Sequence, residues 1–361
     1  MKLLSKTLLL LFFVPGIVLA HNGEPKGKYT KEKKINKEYK VNANAGLRVD
    51  NSYGNIDIVT WNENRTVIEV TITTNGDDEE KVQQKLDEIT VEFTANASLV
   101  TAKTIFDDTK NSWKIWNSKK NSVSMSIHYR IKLPVTNTVD LDNDYGAINL
   151  NRLEGNAKIN CDYGQLIIGE LLADNNLLSF DYTQNSTIAY MKSGTIKADY
   201  SGFSLEKIDD LELAADYTDS KIGEVNNLNY NNDYGKIAID KVGNLVGRGD
   251  YIPNRIGTVT GSLNLNTDYG SIVINKVAST ANDVTIKSDY TAVKLGYEAG
   301  YSFDFIIKLS FANFKGENDV TVTNSDKGYT SKNYQGYHNI RNSGNNLNIN
   351  SSYGSVSLTK L

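Results

Sequence analysis

Asp144-Tyr145-Gly146 begins a run of nine Asp-Tyr pairs that ends with Asp289-Tyr290-Thr291. Two further copies, with Ser in place of Asp, surround Tyr53 and Tyr353. Within the run of nine, consecutive tyrosines are 17 to 21 residues apart. So regular a period is typical of stacked repeats rather than of an ordinary globular core.

The residues around each tyrosine indicate which side chains point inward. Five residues after the tyrosine, every copy has Ile or Leu except for Thr187. Apolar residues also dominate three and eight residues after the tyrosine and four before it. This alternation has the period of β-strands, and its phase changes across the tyrosine. We therefore expect two short strands per repeat, joined by a bend at Tyr-Gly that a glycine with positive φ allows.

Stacking of such units predicts an all-β fold, because one unit cannot bury its apolar face alone. We expect a single-chain parallel β-helix, or β-solenoid, of about 17–21 residues per coil and roughly 40 Å long over the nine central coils. Two insertions, at about 62–135 and 296–345, interrupt the period. The first reads as mixed strand and helix, with the helix between Asp77 and Ile89. We expect both to cap or flank the solenoid, whose exposed edges would otherwise favour aggregation, with ligand binding as the alternative.

The chain divides into three parts. Residues 1–20 have the features of a secretory signal peptide: lysines, then an apolar run from Leu8 to Leu19, then Ala20 at a small-residue cleavage site. Residues 21–40 are a polar, lysine-rich lead-in, and residues 41–361 form the solenoid domain. No later segment has the roughly twenty apolar residues of a membrane span. We therefore expect an exported protein, in the periplasm, on the outer-membrane surface or secreted.

Charge and cysteine content narrow the possible partners. The net charge is −4 and there is no basic stripe, which argues against binding to nucleic acid. Cys161 is the only cysteine, so no intramolecular disulfide forms, and we expect its side chain to be small and buried. The three histidines have no metal-ligand spacing.

Stacking would also align the Asp-Tyr pairs into two columns. The aspartate column comprises Asp144, Asp162, Asp181, Asp199, Asp216, Asp233, Asp250, Asp268 and Asp289. Its carboxylates would lie about 5 Å apart and repel by roughly 1 kcal/mol in water. We expect them to face solvent and to accept backbone N–H bonds, with a calcium-binding ladder as the alternative and no other cofactor. The tyrosines should form a stacked ladder at one corner, pointing into the core rather than offering a platform for sugars. That ladder comprises Tyr53, Tyr145, Tyr163, Tyr182, Tyr200, Tyr217, Tyr234, Tyr251, Tyr269, Tyr290 and Tyr353.

Three features are shared with a known family: the run from Val49 to Ile58 followed by Trp61, the tetrapeptide Ile131-Lys132-Leu133-Pro134, and the Asp-Tyr-Gly repeats. In these the chain resembles the bacterial putative-adhesin family, secreted and envelope domains of unknown function, especially from Bacteroidetes-type bacteria. The resemblance implies an exported β-helical rod with an adhesive role, and it supplies no catalytic residues.

We therefore expect a non-enzymatic protein with a role in adhesion or cell-envelope scaffolding, whose partner is a protein or glycan at the cell surface or in the envelope. One alternative is a polysaccharide lyase or glycosidase, which requires acids and basic residues converging on one face. The candidate basic residues Lys197, Arg248 and Lys287 are too dispersed for this. A second alternative is an envelope sensor that works with a membrane signalling partner. Arg248-Gly249-Asp250 matches an adhesion tripeptide by coincidence, since its Asp belongs to the repeat.

Overall fold

A computed structural model describes residues 27–107 and 123–361, which contain 27 β-strands, one α-helix and one turn of 3-10 helix, Glu317–Asp319. The expected signal peptide lies outside these residues. The N-terminal part comprises β1 (Tyr29–Lys40), β2 (Gly46–Ser52), β3 (Ile56–Trp61), β4 (Arg65–Gly76), α1 (Glu79–Asp87), β5 (Ile89–Ala95), β6 (Leu99–Phe106) and β7 (Ser124–Pro134). The central part comprises β8 (Thr138–Asp144), β9 (Ala147–Leu153), β10 (Ala157–Asp162), β11 (Gln165–Leu171), β12 (Asn176–Asp181), β13 (Ser186–Asp199), β14 (Gly202–Asp216), β15 (Asp219–Asn231), β16 (Lys236–Asp250), β17 (Pro253–Val259), β18 (Leu263–Asp268), β19 (Ser271–Val277), β20 (Val284–Asp289) and β21 (Ala292–Tyr297). The C-terminal part comprises β22 (Phe303–Ser310), β23 (Phe314–Lys315), β24 (Thr321–Lys327), β25 (Ser331–His338), β26 (Asn346–Ser352) and β27 (Val356–Lys360).

Equivalent residues of successive repeats lie side by side in parallel strands. Asp144 of β8 pairs with Asp162 of β10, and Leu205 of β14 pairs with Ile222 of β15. All 27 strands belong to one hydrogen-bonded sheet. The structure therefore confirms an all-β chain whose repeats pair in parallel register.

The three 17-residue repeats are built alike. In the 17-residue repeats that follow Tyr200, Tyr217 and Tyr234, a single long strand reaches from one tyrosine corner almost to the next. The repeat that follows Tyr182 is one residue longer and places a left-handed residue, Asn185 (φ 57°), before its strand. That extra residue shifts the alternation, so Ile188 pairs with Ile168 and is buried while Thr187 is exposed.

The expected apolar columns form the interior. The residues four before each tyrosine are all buried, and so are those five after it except for Thr187. At Gly247, an added Cβ would lie 2.3 Å from the ring of Tyr230 in the neighbouring repeat. The large Tyr230 side chain thus fills the space that the small Gly247 leaves open, which keeps the interior close-packed.

The first insertion covers the N-terminal end of the stack. Strands β6 and β7 continue it beyond the Tyr53 repeat, pairing in parallel with β2 and β3. Beyond them the pairing becomes antiparallel, β5 with β6, β4 with β7 and β1 with β4. Helix α1 confirms the prediction of a helix in this insertion. It begins after Asp78, whose side-chain carboxylate accepts the backbone N–H of Lys81. Residues 29–40 of the lysine-rich lead-in form a twelve-residue strand that pairs with β4, and their lysines suit an edge strand because charge discourages further pairing.

The second insertion covers the other end and encloses the last repeat. Strand β26 lies between β20 and β22, and β27 lies between β21 and β23. The Tyr353 repeat, although last in the chain, is therefore inside the stack, just as the Tyr53 repeat lies between β6–β7 and β8–β9. Each terminal repeat has neighbours on both sides, which opposes fraying from the ends.

Candidate functional site

The repeat tyrosines form one continuous ladder on the outside of the stack. Neighbouring rings are 4.6–5.2 Å apart between centroids and within 11° of parallel, from Tyr53 to Tyr353. Ten of the eleven side chains are about half exposed, between 47% and 52%. The ladder was correctly expected, but its predicted inward orientation is wrong.

The reason lies in the backbone of the tyrosines themselves. Every ladder tyrosine has a left-handed conformation, with φ between 48° and 64°. This turn places Asp and Tyr outward in succession and sends the next residue inward, so Thr183, Thr218 and Ile252 are buried. The expectation that glycine supplies the positive φ is therefore wrong.

Glycine follows many of the tyrosines for a different reason. At Gly146, Gly164 and Gly235 an added Cβ would lie 1.9–2.1 Å from a backbone oxygen of the neighbouring repeat. Where Thr or Ser replaces Gly, the hydroxyl joins the repeats instead. Thr218 Oγ1 accepts the Ser201 N–H at 3.1 Å and lies 2.8 Å from the Ala198 carbonyl oxygen to which it donates.

The aspartate column runs beside the ladder and is bonded from repeat to repeat. From Asp162 to Asp268, each carboxylate accepts the backbone N–H of the next aspartate at 2.6–3.2 Å. Partial burial, followed by the charge of neighbouring aspartates, raises the pKa of Asp144 and Asp181 above its usual range. Across residues 27–107 and 123–361, no group of three or more His, Cys, Asp or Glu side chains is placed to hold a metal ion.

A groove crosses the outer face of β12–β16, and we call it the amide groove. Its main part has a volume of about 610 Å³. An adjoining part of about 550 Å³ shares some of the same lining residues and includes Asn231 and Arg248. Its two rows of outward side chains are Asn175, Ser193, Asp210, Asn227 and Asn244, and Leu177, Thr195, Glu212, Asn229 and Val246.

The amides of this groove form short ladders of their own. Asn227 donates to Asp210 at 2.6 Å, Asn244 donates to Asn227 at 2.8 Å, and Asn229 donates to Glu212 at 2.8 Å. Sequence reasoning missed the groove, although a signal was present. Asp210, Asn227 and Asn244 all stand seven residues before a tyrosine.

A second surface lies between the stack and the first insertion. Trp61 pairs with Pro134, so two separate segments that carry the family resemblance lie on neighbouring strands. Trp61 donates through Nε1 to the Arg65 carbonyl at 3.0 Å, and the Arg65 guanidinium lies 4.4 Å from its ring centroid. Lys132 lies 5.8 Å from the same ring, in a groove of about 570 Å³.

The other candidate residues from the sequence lie in separate parts of the structure. Cys161 is fully buried as expected, and burial raises the pKa of its thiol to about 12. His128 lies in the N-terminal cover and His338 in the C-terminal one. Lys197 and Arg248 are three strands apart in the register, and of the two only Arg248 lines the groove. Asp250 belongs to the bonded aspartate column, which leaves Arg248-Gly249-Asp250 without a separate loop.

One ladder position was missed altogether. Phe311 stacks on Tyr353 at 5.1 Å with an interplanar angle of 2°, and its φ is 49°. The sequence Ser310-Phe311-Ala312 is therefore a degenerate repeat that keeps only the Ser of the two end copies, and Ser310 pairs with Ser352.

These features define a class: an all-β protein of parallel-paired repeats with an outward ladder of aromatic rings. Among solved structures, the chain is similar to a putative cell adhesion protein from Clostridium sporogenes, at 11% identity over 92% of this chain and 100% of that one, with a TM-score of 0.19. It is also similar to a putative adhesin from Bacteroides fragilis, at 11% identity over 91% and 97% with a TM-score of 0.24. A putative adhesin from Parabacteroides distasonis is similar at 9% identity over 91% and 97%, with a TM-score of 0.28. No protein-family model and no curated protein matches the chain. Scores this low carry no argument about function, which must be made from the surface of the chain itself.

Proposed function

We propose that the chain is an exported, non-enzymatic β-solenoid with a role in adhesion or envelope scaffolding, and that its amide groove binds a glycan at the cell surface or in the envelope. The parallel register of the repeats supports the solenoid, and the features of residues 1–20 support export. None of the helices in the described parts of the chain has the length and apolar character that crossing a membrane requires. The observation that carries the proposal is the amide groove.

The chemistry of the groove suits a polar, uncharged ligand. Each ladder amide uses one N–H for its neighbour and keeps a second N–H for a ligand hydroxyl, while Asn229 also keeps its carbonyl oxygen as an acceptor; the Asn244 oxygen already accepts the Ser262 N–H at 3.0 Å. Sugar hydroxyls both donate and accept, so they match such a lining. Val246 is 43% exposed and, with Leu177, supplies apolar surface for the carbon face of a sugar ring.

Binding to isolated envelopes and to an array of neutral and acidic glycans tests this function. We expect the Asn227→Ala, Asn229→Ala double variant to lose at least about tenfold in affinity, since two ligand hydrogen bonds contribute about 1.4 kcal/mol or more together. Asn264→Ala, Asn266→Ala is the matched control, because these residues face outward on β18 beyond the groove. Equal binding by both double variants and the unsubstituted chain would contradict the proposal.

One observation favours an enzyme instead. Asp210 and Glu212 stand two residues apart on β14, both face the groove, and paired carboxylates are what a glycosidase requires. A reducing-sugar assay on the same glycans separates the two functions. Release of sugar ends that is lost in Asp210→Asn and Glu212→Gln would make the groove an active site, whereas we expect no turnover.

A further inference from the structure

We propose that the tyrosine ladder is a site of oxidative cross-linking, at which a haem peroxidase with hydrogen peroxide joins tyrosines of neighbouring repeats as dityrosine. This inference is independent of the amide groove. It concerns the eleven phenol rings, which have no part in the proposed glycan site.

Access and proximity are both provided by the ladder. Each ring between Tyr145 and Tyr353 is about half exposed, so an oxidant in solution reaches it. Each also has another phenol ring on one or both sides, at 4.6–5.2 Å between centroids. Holding two reacting groups at such a distance makes their effective concentration far higher than that of a second protein molecule.

The reaction balances with peroxide as the oxidant. Two phenols each lose one electron and one proton and become phenoxyl radicals, while hydrogen peroxide takes up both electrons and both protons and becomes two water molecules. A carbon–carbon bond then forms between one Cε atom of each ring, the carbon ortho to the phenolic oxygen. The hydrogen on each of those carbons moves to the oxygen, which restores both phenols.

The structure limits where such bonds form. The ladder ends at Phe106, whose ring meets Tyr53 edge-on at 5.9 Å, and at Phe311, which stacks on Tyr353. Neither ring has a hydroxyl, so coupling is confined to the tyrosines between them. Tyr329 is 100% exposed and lies outside the ladder, which makes it an internal control for exposure alone.

The consequence is a covalent staple between repeats. A bond between Tyr217 and Tyr234 closes a segment whose ends are 17 positions apart in the sequence. Closing such loops restricts the unfolded chain and opposes separation of the repeats. Treated protein should therefore unfold at a higher denaturant concentration than untreated protein.

The experiment treats the purified full chain, at low protein concentration, with a haem peroxidase and hydrogen peroxide. Dityrosine fluorescence, denaturing electrophoresis and mass spectrometry of proteolytic peptides are the measurements. We expect a monomer-sized product whose cross-linked peptides join consecutive ladder tyrosines. Cross-links that mainly involve Tyr329, or that join tyrosines distant in the ladder, would overturn the proposal.

Two variants complete the test. Replacing every second ladder tyrosine by Phe leaves the rings stacked but no two phenols adjacent; these are Tyr145, Tyr182, Tyr217, Tyr251 and Tyr290. We expect the intramolecular yield to fall at least tenfold in this variant and to be unchanged in Tyr329→Phe. An undiminished yield in the alternating variant would refute the proposal, and if that variant does not fold, the peptide map of the unsubstituted chain decides alone.

Discussion

Gly235→Ala tests the close approach between repeats at the tyrosine corner. The added Cβ would lie 2.1 Å from the carbonyl oxygen of Thr218 and 2.8 Å from its nitrogen, and both are backbone atoms. An ordinary carbon–oxygen contact is about 3.3 Å, so the two backbones must separate by about 1 Å. The glycine has a normal φ, so no left-handed strain contributes to the effect.

The magnitude follows from the bonds that this movement weakens. The Lys236 N–H bonds to the Thr218 carbonyl at 3.2 Å, and Ser220 and Ile237 pair immediately beyond it. Each backbone hydrogen bond contributes about 1 kcal/mol net, so loss of two with some residual strain predicts a decrease of about 2–4 kcal/mol in the free energy of unfolding.

Urea unfolding followed by circular dichroism measures this change, with Gly202→Ala as the control. At Gly202 the atom nearest an added Cβ is Gln184 Oε1 at 2.7 Å, the far end of an exposed side chain that can move away by giving up one surface hydrogen bond, from its Nε2 to the Tyr200 carbonyl. We expect the control to change the free energy of unfolding by less than about 1 kcal/mol. Equal stability of the two variants would refute the reasoning.

Three further sets of substitutions and one labelling reaction probe the corner and the core beside it. Asp199→Ala removes the acceptor of the Asp216 N–H and should cost about 1 kcal/mol in urea unfolding, whereas Asp199→Asn keeps an acceptor oxygen and should cost less. Tyr217→Ala loses two ring stacks, about 0.5–1.5 kcal/mol each, whereas Tyr217→Phe keeps them and should be nearly neutral by the same assay. Cys161 should react with iodoacetamide only after unfolding, because its thiol is buried; rapid labelling of the folded chain would contradict this. The pKa of Asp144 is raised in the folded state, so its ionisation opposes folding at neutral pH and this effect disappears as pH falls below the unfolded pKa; Asp144→Asn should therefore stabilise the chain by roughly a few tenths of a kcal/mol at pH 7 and not at pH 3.

The repeat positions predicted most of the architecture. Aliphatic columns at fixed offsets identify the buried faces of strands whatever the handedness of the stack, and these columns are buried. Even the exception at Thr187 followed a physical rule, because one added residue moves the inward positions one residue later, so that Ile188 and Met191 pair with Ile168 and Leu171 and are buried.

The corner was predicted with the wrong residue in the left-handed conformation. Glycine serves both where φ is positive and where no Cβ fits, and the Tyr-Gly pairs alone do not distinguish these uses. Thr218 and Ile252 do distinguish them. β-branched residues rarely adopt positive φ, so the bend could not lie at that position and had to lie at the tyrosine. With the tyrosine in that conformation, the strand alternation no longer determines its orientation.

The C-terminal repeat order could not be read from the sequence. Phe311 precedes Tyr353 in the chain but lies beyond it in the stack, because β26 and β27 enter between two repeats that are consecutive in the chain, β20–β21 and β22–β23. Such an insertion depends on long-range pairing and leaves no local signal.

The amide groove was missed for another reason. It is built from side chains that point outward, whereas the repeat positions predict which side chains point inward.

The distance between nitroxide labels at equivalent positions of two repeats tests the stacked register most directly. Lys158 and Asn264 are both exposed and both stand five residues before a ladder tyrosine, Tyr163 and Tyr269. Six ring-to-ring steps of 4.8–5.1 Å separate those tyrosines. Double electron–electron resonance on Lys158→Cys, Asn264→Cys should therefore give one narrow distribution centred at about 30 Å. A broad distribution, or a mean outside roughly 25–35 Å, would contradict parallel stacking of the repeats.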